Sequence, residues 1–494
     1  MPNPILIVHG WSDDYKSFRP LRSLLVKAGY KATDVFLGNY ASMRDDVTFD
    51  DVSYGLQMRL YGLVKDGVIK GTVDKKIPGG FSLNPFSVDV IVHSTGGPVV
   101  RNWLNLYLRD VWGGDFTKSP IRHFIMLAPA NFGSRLAAQG KSTLAKLFKG
   151  GMGNGFETGR KILEGLELGS PFLWGLADRD LFRDPIFPST TQGTFLYILS
   201  GTDTYGKLKG LVAKGASENG SDGTIRAASA SLDSVKFEVD FRDPDNPDVK
   251  TISQKNESPV FKLVEGCNHS TIVPDPNATA NHPAFKIIQN CLSIENSTGY
   301  EILRNKFDTE NEQLYEKNKE YCANNTFVDP INRFQQFVVR VLDNMDNAVT
   351  DYRLDFHVVD NSIKVSTWID QSPPRELDKY STYNARIMDE VISDVEQHSV
   401  DKSYRTFFIN IDALNKLMND LTKAYPQAYI AMNFDALPSA PGVSYNTDFI
   451  KYVPLNAVLK GKFFFKENTT TLIKIKLQLS VDKTVYDFPK ADDA

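Results

Sequence analysis

A hydroxyl, an imidazole and a carboxylate suffice for nucleophilic acyl transfer if the hydroxyl stands on a sharp turn within reach of the others. The stretch VDVIVHSTGG, residues 88–97, offers the hydroxyl: Ser94 lies between an apolar run and two glycines, with a helical pattern starting at Pro98. Ordinary strand-to-helix turns also hold serine before glycine, so the motif gains weight only from its company. VHGW, residues 8–11, follows the first apolar run, where a turn can aim backbone N–H groups at a developing oxyanion. Paired with Ser94, the expected donors are the N–H groups of Trp11 and Thr95.

The base belongs on a loop after a late strand, and the acid between nucleophile and base. Of the seven histidines, His269 in VFKLVEGCNHSTIV meets that requirement. His282 in NHPAFKIIQNCL reads as the start of a closing helix and ranks second. Two carboxylates compete for the acid: Asp203 directly after a strand in SGTDTYG, and Asp222 in the SDG turn of ENGSDGTIRAASA. The residues alone leave both open, because Asp-Gly also favours plain turns.

These groups need a frame. Apolar runs at 5–8, 33–37, 88–92, 121–129, 194–201, 235–241 and 260–266 predict strands, and periodic stretches at 15–30, 52–67 and 98–109 predict helices. The alternation predicts an α/β architecture, a mainly parallel sheet with helices on both faces. Residues 134–190 break the rhythm with amphipathic pieces separated by glycines. They read either as a helical insertion packed over the sheet or as a cap whose Phe172, Leu173 and Trp174 cover an acyl pocket or touch lipid. From about residue 300 the pattern becomes β-rich, with helices near 383–396 and 412–424 and a hairpin expected about ENTT near the C-terminus. The expected division is a catalytic domain over 1–297 and a sandwich-like β-rich domain over 298–494.

HGW, HSTGG, LAPANFGS, SDGTI and GCNHSTI, in this order, resemble the α/β-hydrolase lipases and esterases. Val92 stands where the general elbow pattern has glycine, and that variant resembles the PlaB-type bacterial phospholipase A/lysophospholipases, which add a C-terminal β-rich domain. The resemblance implies an α/β-hydrolase fold with Ser94 as nucleophile, His269 as base and Asp222 as acid, Asp203 being the alternative. It further implies a lipid ester substrate, phospholipids or lysophospholipids before neutral glycerides or simple carboxylic esters. A non-catalytic binding protein on the same scaffold is the reading from another class.

Composition sets the outer limits. With 494 residues the chain has room for two or more cores, and a net charge of −4 leaves no basic surplus to argue for a nucleic-acid partner. Three cysteines are too few and too odd a set for a disulfide framework. No signal peptide and no apolar run of membrane-spanning length is read, so a cytoplasmic or peripherally membrane-associated protein is expected. No cofactor and no metal is expected: the acidic FRDPDNPD at 241–248 reads as a solvated loop before a calcium site. Exposed strand edges in the C-terminal domain would be covered by homo-oligomer formation.

Overall fold

The computed structural model describes residues 2–109, 119–138, 158–183, 194–204, 218–243, 248–254, 259–325, 330–360, 362, 375–437, 440–445, 453–454 and 464–487. Its contacts divide the chain into two units, Met1–Ser234 with Gln254–Asn332, and Val235–Ser253 with Arg333–Ala494.

The first unit is built on a six-stranded sheet. In spatial order its strands are Val260–Val264, Phe195–Gly201, Ile121–Leu127, Val88–His93, Ile5–Val8 and Val35–Leu37, each parallel to its neighbour. Ile5, Ile7, Ile91, Ile125 and Leu199 share a core with Phe18, with Leu21 and Leu25 of helix Arg19–Lys27 and with Phe285 and Ile288 of helix Pro283–Leu292. The alternate residues Leu6, Val8, Val90, Val92, Phe124 and Met126 are equally buried, which is why these strands read as continuous apolar runs. Helices Phe49–Lys65 and Gly96–Leu108 are tied together by Trp103 Nε1, which donates to Gln57 Oε1 at 2.9 Å.

The chain runs outward from Ile5–Val8 to Val35–Leu37, then returns to Val88–His93 on the other side. That reversal is a topological switch point, and the loops leaving the C-terminal ends of the adjoining strands Ile5–Val8 and Val88–His93 open a crevice there. Residues 9–12 and 94–95 are those loops.

Residues 235–241 were expected in the parallel sheet, but Ser234–Phe241 pairs antiparallel with Asp248–Ser253 in the second unit's six-stranded sheet. The cause is visible in its alternation: Phe237, Val239 and Phe241 are buried while Glu238 and Asp240 are half exposed, which suits a sheet with unlike faces. The start of the expected β-rich domain is instead a 27-residue helix, Ser297–Ala323, capped by Asn296 and belonging to the first unit.

That helix has a clear task. Val260–Val264 is an edge strand, and Asn311 accepts from Leu263 N–H while donating to Phe261 C=O, both at 2.9 Å. Tyr300 Oη accepts from Val260 N–H and donates to Leu196 C=O. The edge is thereby closed to other strands. Asn311→Leu leaves both backbone groups unpaired and is expected to cost about 1–3 kcal/mol in urea unfolding; an unchanged midpoint would refute this.

In the second unit, Phe334–Asp343 lies at the centre of a mixed sheet and pairs in parallel with Thr469–Leu477. Of the stretch expected to form a hairpin about ENTT, residues 461–463 lie outside the described residues, and the strand after the turn takes this parallel partner. A three-stranded sheet and helix Ile411–Ala424 share the core with it through Phe356, Ile430, Leu414 and Leu417. The unit is β-rich, as expected. Among the described residues, no helix is long and apolar enough to cross a membrane.

Candidate active site

Ser94 sits on the bend between strand Val88–His93 and helix Gly96–Leu108 with φ of 52°. A side chain at positive φ is strained, and the surroundings hold it there. Ser94 N–H donates to Leu127 C=O at 3.0 Å, while its own carbonyl accepts from Gly97 and Ala130 N–H. Room for the bend comes from two glycines: a methyl group on Gly10 would lie 2.8 Å from Ser94 Cβ, and one on Gly96 would lie 2.6 Å from Val8 O. Val92 is fully buried and pairs with Val8 and Met126 inside the sheet.

The structure brings Ser94, His269 and Asp222 together from loops after three different strands. His269 Nε2 lies 3.0 Å from Ser94 Oγ, and Nδ1 lies 2.9 Å from Asp222 Oδ2. Asp222 is fully buried; its other oxygen accepts from Thr224 N–H at 3.0 Å and Ile225 N–H at 2.8 Å. Facing a carboxylate oxygen, Nδ1 donates its hydrogen there and Nε2 is left to accept from the serine. Gly201 permits the convergence, since a methyl there would meet Cys267 O at 2.3 Å and Asp222 Cβ at 3.2 Å.

The other acid candidate is elsewhere. Asp203 is exposed; its carboxylate accepts from the Thr202 hydroxyl at 3.0 Å, and its N–H donates to Cys267 C=O. His282 precedes the closing helix, with Nε2 3.1 Å from Thr271 O, away from Ser94.

Trp11 and Thr95 both line the crevice, and Trp11 N–H donates to Thr95 Oγ1 at 3.2 Å. The turn carrying Trp11 is braced by His9, which is fully buried and stacks on Tyr40 with ring centroids 4.3 Å apart. Tyr40 N–H donates to His9 Nε2 at 3.2 Å, so Nδ1–H donates to Gly10 C=O at 2.7 Å. Nothing local marks Tyr40, a tyrosine in GNYAS with no pattern around it.

The crevice is a cavity of about 540 Å³ whose wall includes Ser94, His269, Leu163, Leu166 and Ile225, with Lys16 and Asp275 also lining it. Phe172, Leu173 and Trp174, expected to cover an acyl pocket, do not line it. Their helix, Pro171–Ala177, turns Leu173 and Trp174 into the interior and stacks Phe172 on Phe49 at 4.1 Å. The apolar wall comes instead from the preceding helix, Arg160–Leu166, through Leu163 and Leu166 at i,i+3 spacing. Residues 139–157 and 184–190 of the expected cap lie outside the described residues. So do residues 244–247 of the acidic FRDPDNPD loop. Among the described residues, no group of three His, Cys, Asp or Glu side chains could hold a metal ion.

His93 is a buried imidazole that the sequence reading did not single out. Burial pulls its pKa from 6.5 to about 3, and the neighbouring His269 adds to the shift. An unfolded chain takes up this proton near pH 6.5 whereas the folded one does so only near 3. The stability is therefore full above pH 6.5 and is lost as pH falls towards 3. One such group contributes a slope of about 1.4 kcal/mol per pH unit. Urea unfolding at pH 6.5 and 5.5 is expected to show this loss, and His93→Gln to reduce it; an identical slope in the variant would rule His93 out as its source.

No protein-family model matches the chain, and no curated protein matches it. Among solved structures, it is similar over 99% of its length to phospholipase PlaB from Legionella pneumophila, covering 96% of that chain with 23% identity and a TM-score of 0.77. The same phospholipase in complex with thio-NAD matches with 22% identity and a TM-score of 0.74, over 99% of this chain and 96% of that one. The likeness establishes a shared fold, an α/β-hydrolase unit joined to a β-rich unit.

Proposed function

We propose that this chain is a serine hydrolase of lipid carboxylic esters, acting first on phospholipids or lysophospholipids. The observation that carries the reading is the hydrogen-bonded series Ser94–His269–Asp222 on a positive-φ turn at the switch point of the sheet. The whole-chain likeness to a phospholipase supports the choice of lipid.

In this reading Ser94 Oγ attacks the ester carbonyl carbon as His269 Nε2 takes its proton. Asp222 holds the imidazole in the accepting tautomer and stabilises the imidazolium that forms. The tetrahedral oxyanion accepts from Thr95 N–H and Trp11 N–H. The Trp11 donor is held by Thr95 Oγ1 at 3.2 Å, the long end of the range for such a bond, and a charged oxygen competes for it effectively. His269 then returns its proton to the leaving alcohol oxygen, and the C–O bond breaks to leave an acyl-Ser94 ester. Water attacks that ester with His269 again as base, releasing the fatty acid and regenerating the serine. The apolar wall of Leu163, Leu166 and Ile225 suits an acyl chain, and a substrate held in lipid aggregates places the work at a membrane surface.

A fluorophosphonate probe is expected to label the wild type and not Ser94→Ala. Absence of labelling in folded wild type would refute the hydrolase. Fatty-acid release from phosphatidylcholine, lysophosphatidylcholine and a triglyceride tests the substrate: preference for the triglyceride would reassign it to neutral glycerides, and equally low release from all three would remove the lipid reading.

A further inference from the structure

We propose that His93 is a positioning residue that fixes the loop of the general base by donating its Nε2–H to the backbone carbonyl of His269. The inference rests on the proposed roles of Ser94, His269 and Asp222.

A general base works only if its ring nitrogen stays in line with the nucleophile, and the ring is only as steady as the backbone that bears it. His269 is on a loop, two residues after Cys267 and well clear of the strand Val260–Val264. Its backbone is nevertheless held on both sides. Its N–H donates to Asp222 C=O at 2.8 Å, and its C=O lies 2.9 Å from His93 Nε2. A carbonyl oxygen can only accept, so the tautomer of His93 is set: the proton is on Nε2. Neutrality of the ring fits this assignment, since it is buried and its ring centroid is 4.8 Å from that of His269.

The result is a double attachment between neighbours. His93 holds the backbone of His269, and Ser94, the next residue, bonds its imidazole at 3.0 Å. The base is thereby referenced to the strand end that carries the nucleophile, across 176 residues of sequence. If strand and loop drift, they drift together, and the distance from Oγ to Nε2 is preserved.

The test compares substitutions of matched shape. Gln places an amide N–H near the position of Nε2, whereas Met has similar length and no donor. With a soluble short-chain p-nitrophenyl ester, His93→Met is expected to lower kcat about 10- to 100-fold with KM unchanged, the signature of a misplaced group rather than a lost binding contact. His93→Gln is expected to recover most of that loss. Equal kcat in the Gln and Met variants, at whatever level, overturns the proposal, because packing alone would then explain the site. Wild-type kcat in His93→Met overturns it too. His93→Phe, which keeps an aromatic ring and lacks the donor, replaces Met if that variant does not fold. Failure of the wild type itself to react with a fluorophosphonate would instead refute the hydrolase reading, so the two failures are told apart.

Discussion

Asp222→Asn is expected to lower kcat by about 10⁴ while leaving the fold intact. Both carboxylate oxygens are committed: Oδ1 to Thr224 and Ile225 N–H, and Oδ2 to His269 Nδ1. An asparagine oxygen can keep the two backbone donors, which leaves its NH₂ group facing His269. That group can only donate, so Nδ1 must become the acceptor and the ring proton moves to Nε2. Nε2 then points a hydrogen at Ser94 Oγ and can no longer take one from it. The charge that would steady the imidazolium is lost as well. The measurement is kcat on a soluble ester with the urea midpoint recorded beside it. A loss smaller than about tenfold in a stable variant would remove Asp222 from the relay.

Asp180→Ala is expected to destabilise the protein by about 3–5 kcal/mol. Asp180 and Arg101 are both fully buried and joined through two bonds, Nε to Oδ2 at 2.8 Å and Nη2 to Oδ1 at 2.9 Å. Arg101 also donates to the carbonyl and side-chain oxygens of Asn131. Burial pushes the Asp180 carboxyl up, and Arg101 pulls it back. Removing the carboxylate strands a guanidinium in the interior of the helix that starts just after Ser94. Replacing both partners by apolar residues of similar volume, as in Arg101→Met with Asp180→Leu, is expected to recover much of the loss, because no charge is then left buried. Urea unfolding of the single and double variants decides the matter; equal destabilisation in both would mean that the pair acts through packing.

Much of the first unit was legible because its determinants are local. Buried parallel strands announce themselves as apolar runs, and the elbow combines a strand, a serine and small residues within ten positions. His269 followed from chain order among few histidines. Asp222 was separable from Asp203 only by resemblance, since both occupy turns. What distinguishes them in space is burial and two backbone donors, neither of which local sequence displays. Tyr40 and His93 went unmarked for the same reason: their partners lie 31 and 176 residues away. The helix Ser297–Ala323 was missed although Tyr300, Leu303, Phe307, Asn311 and Leu314 follow a helical spacing, because two of those five are polar or amphipathic and the run dilutes among charged residues. Strand Ser234–Phe241 carries the alternation of a sheet with unlike faces, but its place in the chain, between segments of the first unit, points to the first unit's sheet.

The excursion of residues 235–253 bears on how the protein can be made. The chain leaves the first unit after Asp222 and re-enters it before His269, and between them runs a strand that lies beside Thr469–Leu477 in the other sheet. A ribosome has therefore released both the acid and the base long before the strand that supports the span between them exists. Until the second unit's strands emerge, Phe237, Val239 and Phe241 have only Asp248–Ser253 beside them and lack the core they share with Phe337, Val339 and Ile473. Cutting the chain at 297 would preserve Ser94, Asp222 and His269 and still leave strand Ser234–Phe241 without its second-unit partners.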